Sequence, residues 1–244
     1  MGDRSGRKAW LVLVGLALGA VGSYWLARAY RSAKRACPPY KRRAFAGARP
    51  LVREFLAFWD DPVALRSRLS NSRLCRDARF VGKLLLAVAG AQGSRGCSAA
   101  QLRHAGRIGL SQAQAEGLLA GDLESATVDE APALYFGRRY VETEGDPDVD
   151  AVRALVAQYG ERTAADVVTC VRLLAFGNQV GNTLDALVSR MLGKPSPDTT
   201  FRGELSAALA FFFGVMPLAP LLALRALLAG PRPRESADES GTED

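Results

Sequence analysis

Histidine is almost absent from this chain of 244 residues: His104 stands alone. A single imidazole excludes a histidine-built metal site and leaves little material for a Ser-His-Asp relay. Cysteine is scarce as well. Cys37, Cys75, Cys97 and Cys170 form no CxxC pair and fit no zinc spacing. A chain this long and this rich in core residues does not depend on a disulfide scaffold. There is no Walker sequence and no GxGxxG behind a strand. No metal, flavin, heme or nucleotide motif is present, so no cofactor is expected. Strand-like alternation between hairpin turns is missing, as is any internal repeat.

Acidic residues are nearly missing from the first 50 positions, where Asp3 is the one acid among many arginines and lysines. The end of the chain runs the other way, with Glu235, Asp238, Glu239, Glu243 and Asp244. The formal net charge is +7. The basic surplus hugs an apolar span instead of tiling a folded face, which points to anionic lipid headgroups and away from nucleic acid.

That span runs without charge from Ala9 to Ala27, bounded by Arg7 and Lys8 before it and Arg28 and Arg31 after it. Nineteen helical residues cross about 30 Å of hydrocarbon, and Tyr24, Trp25 and Tyr30 sit where an aromatic belt belongs. A cleaved signal peptide is the rival reading, but basic residues follow immediately where a small-residue cleavage site would stand. The more basic downstream flank places the rest of the chain in the cytosol, with a mitochondrial membrane as the alternative. Gly15 and Gly19 form a small-xxx-small pair that also fits the ordinary glycine content of membrane helices. A second uncharged block, Leu205 to Leu224, is long enough to cross but is interrupted by Pro217 and Pro220. It can cross, lie in the interface or pack on the domain.

Between the blocks the pattern is helical, and the fold class expected is all-α. The expected division is an anchor over 1–30, a basic proline-broken linker over 31–50, a helical domain over 51–200, an apolar C-terminal helix over 201–230 and a disordered acidic tail over 231–244. Apolar positions recur at helical spacing from Leu51 to Trp59, from Arg76 to Ala91, and from Thr163 to Met191. Ser111 with Gln114, and Thr127 with Glu130, read as capping boxes. Asp146-Pro147 reads as a helix start and Gly193 with Pro195 as a stop.

Two stretches resemble the AhpD-like superfamily of alkylhydroperoxidase D and carboxymuconolactone decarboxylases. One is residues 133–191, with its tyrosine-bearing helix, acidic-proline turn and long FGN…GNTLD helix. The other is CSAAQLRHAGRIGLSQAQAEGLL, residues 97–119. The resemblance covers roughly residues 75–192 and implies an AhpD-like helical domain behind an N-terminal transmembrane helix, assembled as a homo-oligomer. The family's peroxidases carry a glutamate, eleven residues, CxxC, three residues and a histidine. Cys97 matches the first cysteine and His104 the histidine, while Ala100 holds the second cysteine position and Leu85 the glutamate position.

By the residues alone, Cys97 near a helix N-terminus would have a lowered thiol pKa. His104, seven residues on, lies about 10 Å away along the axis, and Ala100 between them relays no proton. Cys97 is otherwise a small buried apolar residue, and His104 an ordinary hydrogen-bonded one. Asn178, Asn182 and Asp185 share a face of the long helix, as a polar pocket, a subunit fastening or a satisfied buried network. Arg138 and Arg139, beside Tyr135 and Tyr140, either meet an acidic ligand or form a solvated face. The function expected is a membrane-anchored helical module without two-cysteine peroxidase activity, acting by binding and oligomerising. The alternative is a thiol-dependent peroxidase using Cys97 with a distal cysteine or an external thiol, with Cys97 and His104 as the candidate catalytic residues.

Overall fold

The computed structural model describes residues 43–59, 77–93, 102 and 105–228. The segment expected to be an anchor, most of the expected linker, the expected acidic tail, Cys97 and His104 lie outside them. The described chain is all-α, with no strand among the described residues. We number its helices α1 (Ala48–Ala57), α2 (Ala78–Ala91), α3 (Gln112–Ala120), α4 (Ala131–Glu142), α5 (Val149–Met191), α6 (Phe201–Ala210) and α7 (Met216–Leu228). A 3-10 turn (Gly106–Ile108) precedes α3, and a π turn (Phe211–Val215) joins α6 to α7.

Local chemistry sets most of the boundaries. The Asp77 side chain accepts from the N–H groups of Arg79 and Phe80 and starts α2. Ser111 and Gln114 form the reciprocal box at the start of α3, satisfying two backbone donors that helix geometry leaves orphaned. Asp148, not Asp146, caps α5 by accepting from Ala151 N–H. Asp146 and Pro147 belong to the turn before it. Gly160, at φ 72° and ψ 161°, breaks the helical path inside α5, so the element is two helices run together.

Two apolar clusters share α5. The first gathers Phe80, Leu84 and Val88 of α2, Leu118 of α3, Leu134 and Phe136 of α4, and Leu155, Val167 and Val171 of α5. Gly90 lets α2 meet α3 closely: a Cβ there would lie 2.1 Å from the Leu119 carbonyl oxygen. The second cluster gathers Leu51 and Phe55 of α1, Phe58 just after it, Phe176, Val180 and Leu184 of α5, and Ala207, Phe211 and Val215 beyond it. Phe176 is its hub, with ring centroids of Phe45 and Phe58 each 5.6 Å away.

The last residues of the basic segment are structural, against the reading of 31–50 as a linker without core. Phe45 is buried at 2% exposure, and α1 already begins at Ala48. Nothing in the local sequence announces this, because the residues that bury Phe45 come from α5 and α6.

Candidate functional site

Cys97 and His104, the residues singled out for thiol chemistry, fall outside the described residues. Leu85, at the position of the family glutamate, is a half-buried residue of α2. Cys170 is a buried thiol of the first cluster, beside Val167 and Val171 in α5.

The asparagine face of α5 is a fastening. Asn182 Nδ2 donates to the carbonyls of Arg43 (2.9 Å) and Gln92 (3.1 Å). Thr183 Oγ1 accepts from Phe45 N–H at 2.9 Å, and Gln92 Nε2 donates to the Ala175 carbonyl at 2.9 Å. The network ties the incoming chain and the end of α2 to the middle of α5, where an unpaired amide would cost free energy. Asn178 is also buried, at 3% exposure. Among the described residues its Nδ2 and the Gln92 Oε1 have no hydrogen-bond partner.

Of the arginine pair of α4, Arg139 is committed to acids of its own chain, while the buried Nη1 of Arg138 has no hydrogen-bond partner among the described residues. Arg139 pairs with Asp148 and Glu142, each at 3.1 Å, and Arg138 with Glu142 at 3.7 Å. The backbone N–H of Ala151 and the Arg139 guanidinium hold the Asp148 carboxyl below its usual range.

Three groupings escaped the sequence because their members are far apart in the chain. Lys83, buried in α2, donates to Glu130 at 2.5 Å and to the Ser125 carbonyl at 3.1 Å. Arg190 makes two 2.8 Å bonds to Glu204, whose side chain is fully buried, and donates to the Ser196 and Thr199 carbonyls. The third grouping is Glu54, Tyr140 and Arg172. Burial pushes the Glu54 carboxyl up, against the pull of Arg172 and Arg53. Burial likewise pushes the Tyr140 phenol up, with Arg172 opposing and Glu54 reinforcing it. The Arg172 guanidinium also lies 5.1 Å over the Phe58 ring. A shifted carboxyl, a phenol and a cation together can exchange a proton, but these three sit at the seam between the two clusters and read as ties between α1, α4 and α5.

The largest departure from an ordinary globular surface lies on α6 and α7. The helical run Phe201–Leu222 is long and apolar enough to cross a membrane, and only 22% of its most apolar window is buried. Gly203, Ala207, Ala208, Phe211 and Val215 face the protein. Leu205, Leu209, Phe213, Leu218, Leu221 and Leu224 face outward, with Phe213 at 77% exposure. A helix that is apolar all round belongs in a core or in lipid, and this one is mostly outside the core.

The arrangement defines a helical protein with a built apolar surface; among the described residues no group of three or more His, Cys, Asp or Glu is placed to hold a metal ion. Comparison with protein-family models, curated proteins and solved structures finds no match for the chain.

Proposed function

We propose that this chain is a membrane-held helical module that acts through its surface, a degenerate relative of the AhpD-like proteins without their two-cysteine peroxidase chemistry. The exposed apolar face of α6 and α7 carries the membrane part of this reading. An apolar patch of this length on a soluble monomer marks a contact surface. The uncharged stretch from Ala9 to Ala27 supplies the anchor, and the domain faces the cytosol.

The chemical part rests on the residues of the motif. Leucine stands at position 85 and alanine at 100, so neither the glutamate nor the second sulfur is at hand for Cys97 and His104. Cys170 is buried within the first apolar cluster, away from solvent. Arg139 supports a structural role for its part of this face, since Asp148 and Glu142 of the same chain hold it. Self-association of the module is the remaining element of the proposal.

Two measurements on the full chain test this. Membrane fractions washed with alkaline carbonate should retain the protein, and release into the wash would end the anchor reading. Purified protein in detergent should turn over hydrogen peroxide no faster with a dithiol reductant than Cys97→Ala does. Turnover that Cys97→Ala abolishes would establish the thiol peroxidase instead.

A further inference from the structure

We infer that α6 and α7 lie flat on the bilayer, seated on anionic lipid headgroups between the domain and the membrane, and do not cross it. The inference rests on the membrane reading above and adds the orientation and the lipid class.

The first observation is what packs beside the helix. α1 runs along α6 and the π turn, and α5 packs on α6 as well. Ala48 N–H donates to Ser206 Oγ at 3.3 Å. The Ala46 carbonyl oxygen lies where a Cβ on Gly203 would sit, 2.3 Å from it. Had this run crossed, α1 would travel into hydrocarbon with it. Arg49 and Arg53 on the outer side of α1 are exposed, and Glu54 is half-buried. Charged groups at membrane depth are costly unless they face a protein interior or a water-filled cavity. Laid flat, the same helix puts its apolar face into lipid and leaves α1 beside it at the interface.

The second observation is the sign of the exposed charge. Between 201 and 228 the charged residues are Arg202, Glu204 and Arg225. Glu204 is buried against Arg190, so the exposed charges are the two arginines. They flank the apolar face with no exposed acid among them, as an anionic headgroup layer requires.

The third is where the described chain begins. Arg43 is tied to the Gln92 and Asn182 junction, and the residues just after it dock on the start of α6. The uncharged stretch ends at Ala27. The fifteen residues from 28 to 42 span at most about 50 Å, so the face cannot leave the neighbourhood of the bilayer that holds the anchor. The two prolines fit a flat helix. Pro217 and Pro220 offer no N–H to the carbonyls one turn earlier, and at an interface water and headgroups can satisfy those carbonyls, whereas mid-membrane lipid cannot.

Photoactivatable phospholipids test the orientation in full-length protein reconstituted into vesicles of neutral and anionic lipid. One lipid carries the reactive group near the headgroup and another at the end of the acyl chain, and adducts are mapped by mass spectrometry. Flat binding gives shallow-probe adducts along the whole face, several-fold above deep-probe adducts at Leu209 and Phe213, and increases them when anionic lipid is included. Leu209→Glu with Phe213→Glu, both at exposed positions, should lower them several-fold while leaving the helical circular dichroism unchanged. A crossing helix reverses the ratio at Leu209 and Phe213 and overturns the inference. Absence of adducts from either probe, with chain-to-chain crosslinks on this face, shows a second copy covering it and also overturns the inference. In both cases carbonate-resistant protein shows that the anchored module stands on its own.

Discussion

The pair formed by Lys83 and Glu130 is the sharpest place to test whether the packing described here governs stability. The Lys83 side chain is 4% exposed and that of Glu130 is 17% exposed, so the two partners are not equivalent. In Glu130→Ala the largely buried ammonium keeps the Ser125 carbonyl and loses its carboxylate. Removing one partner of a buried pair costs about 3–5 kcal/mol, and the surviving carbonyl bond puts this case near 3. Losing the carboxylate that accepts from Thr127 N–H adds about 1 kcal/mol. At about 2–4 °C per kcal/mol for a domain of this size, the melting temperature should fall by about 8–16 °C. Lys83→Met keeps the buried stem and frees Glu130 to turn toward solvent, so its cost should be about 1 kcal/mol. The double variant should melt above Glu130→Ala alone. Thermal circular dichroism of the full chain in mild detergent measures all four proteins. The pH dependence gives a second reading of the same bond. Burial raises the Glu130 carboxyl, but the Lys83 and Thr127 hydrogen bonds outweigh it and leave it below the ordinary 4.5. A carboxylate held down in the fold contributes stability above its unfolded pKa and loses it as pH falls through the folded value. The gap between wild type and Glu130→Ala should therefore be full at neutral pH and shrink below about pH 4.5. Equal, additive effects of the two single variants would refute the reasoning.

The remaining predictions concern the close approach, the junction and a phenol. Gly90→Ala must push α2 off the Leu119 carbonyl and should cost about 1–3 kcal/mol. Gly177→Ala, with nothing within 4 Å of its Cβ, should be neutral or stabilising by up to about 1 kcal/mol in a urea titration. Asn182→Ala removes two ties to backbone carbonyls and should cost about 1–3 kcal/mol. Faster hydrogen exchange at the amides of Arg43 and Phe45 would report it, and unchanged exchange would deny the junction its role. Tyr159, which donates to the Asp129 carbonyl, has its phenol pushed up to about 12, chiefly by burial. A phenol raised in the fold stabilises it below the unfolded pKa and loses that contribution as pH rises through the folded value. Tyr159→Phe should therefore delete a component of the tyrosinate absorbance that titrates well above pH 10.

The sequence disclosed those parts of the fold that are decided within a few residues. Ser111 and Gln114 form the box their spacing calls for, and Asp77 starts α2 where the apolar periodicity begins. Thr127 and Glu130 make only half of theirs. Glu130 reaches back to Thr127 N–H, but no side-chain cap closes the helix start, and the carboxylate is shared with Lys83, 47 positions earlier. Such a partner leaves no local mark. The same holds for Phe45, buried by helices more than a hundred residues downstream, and for the meeting of Glu54, Tyr140 and Arg172. Asp146-Pro147 resembled a helix start because both residue types suit one, yet Asp148, two positions later, is the side chain that reaches Ala151 N–H. The apolar block at 205–224 was legible by composition, but its two faces were not. Small residues on one side and leucines on the other differ only after α1 and α5 cover the first.

Tethering and surface contact act together in this design. With the anchor proposed at 9–27, the α6–α7 face would meet its own bilayer at an effective concentration on the order of millimolar. A face whose own lipid affinity is weak then remains docked for much of the time, and neutralising it would not release the protein from the membrane. Glutamates at Leu209 and Phe213 should therefore separate the two proposed contacts: the protein should stay in the carbonate-washed membrane fraction while the α6–α7 face loses its lipid adducts. That outcome accounts for an exposed face of modest charge. On the proposed reading, Arg202 and Arg225 would not have to recruit the chain from solution; they would only have to settle a domain already tethered, with α1 and its arginines kept out of the hydrocarbon.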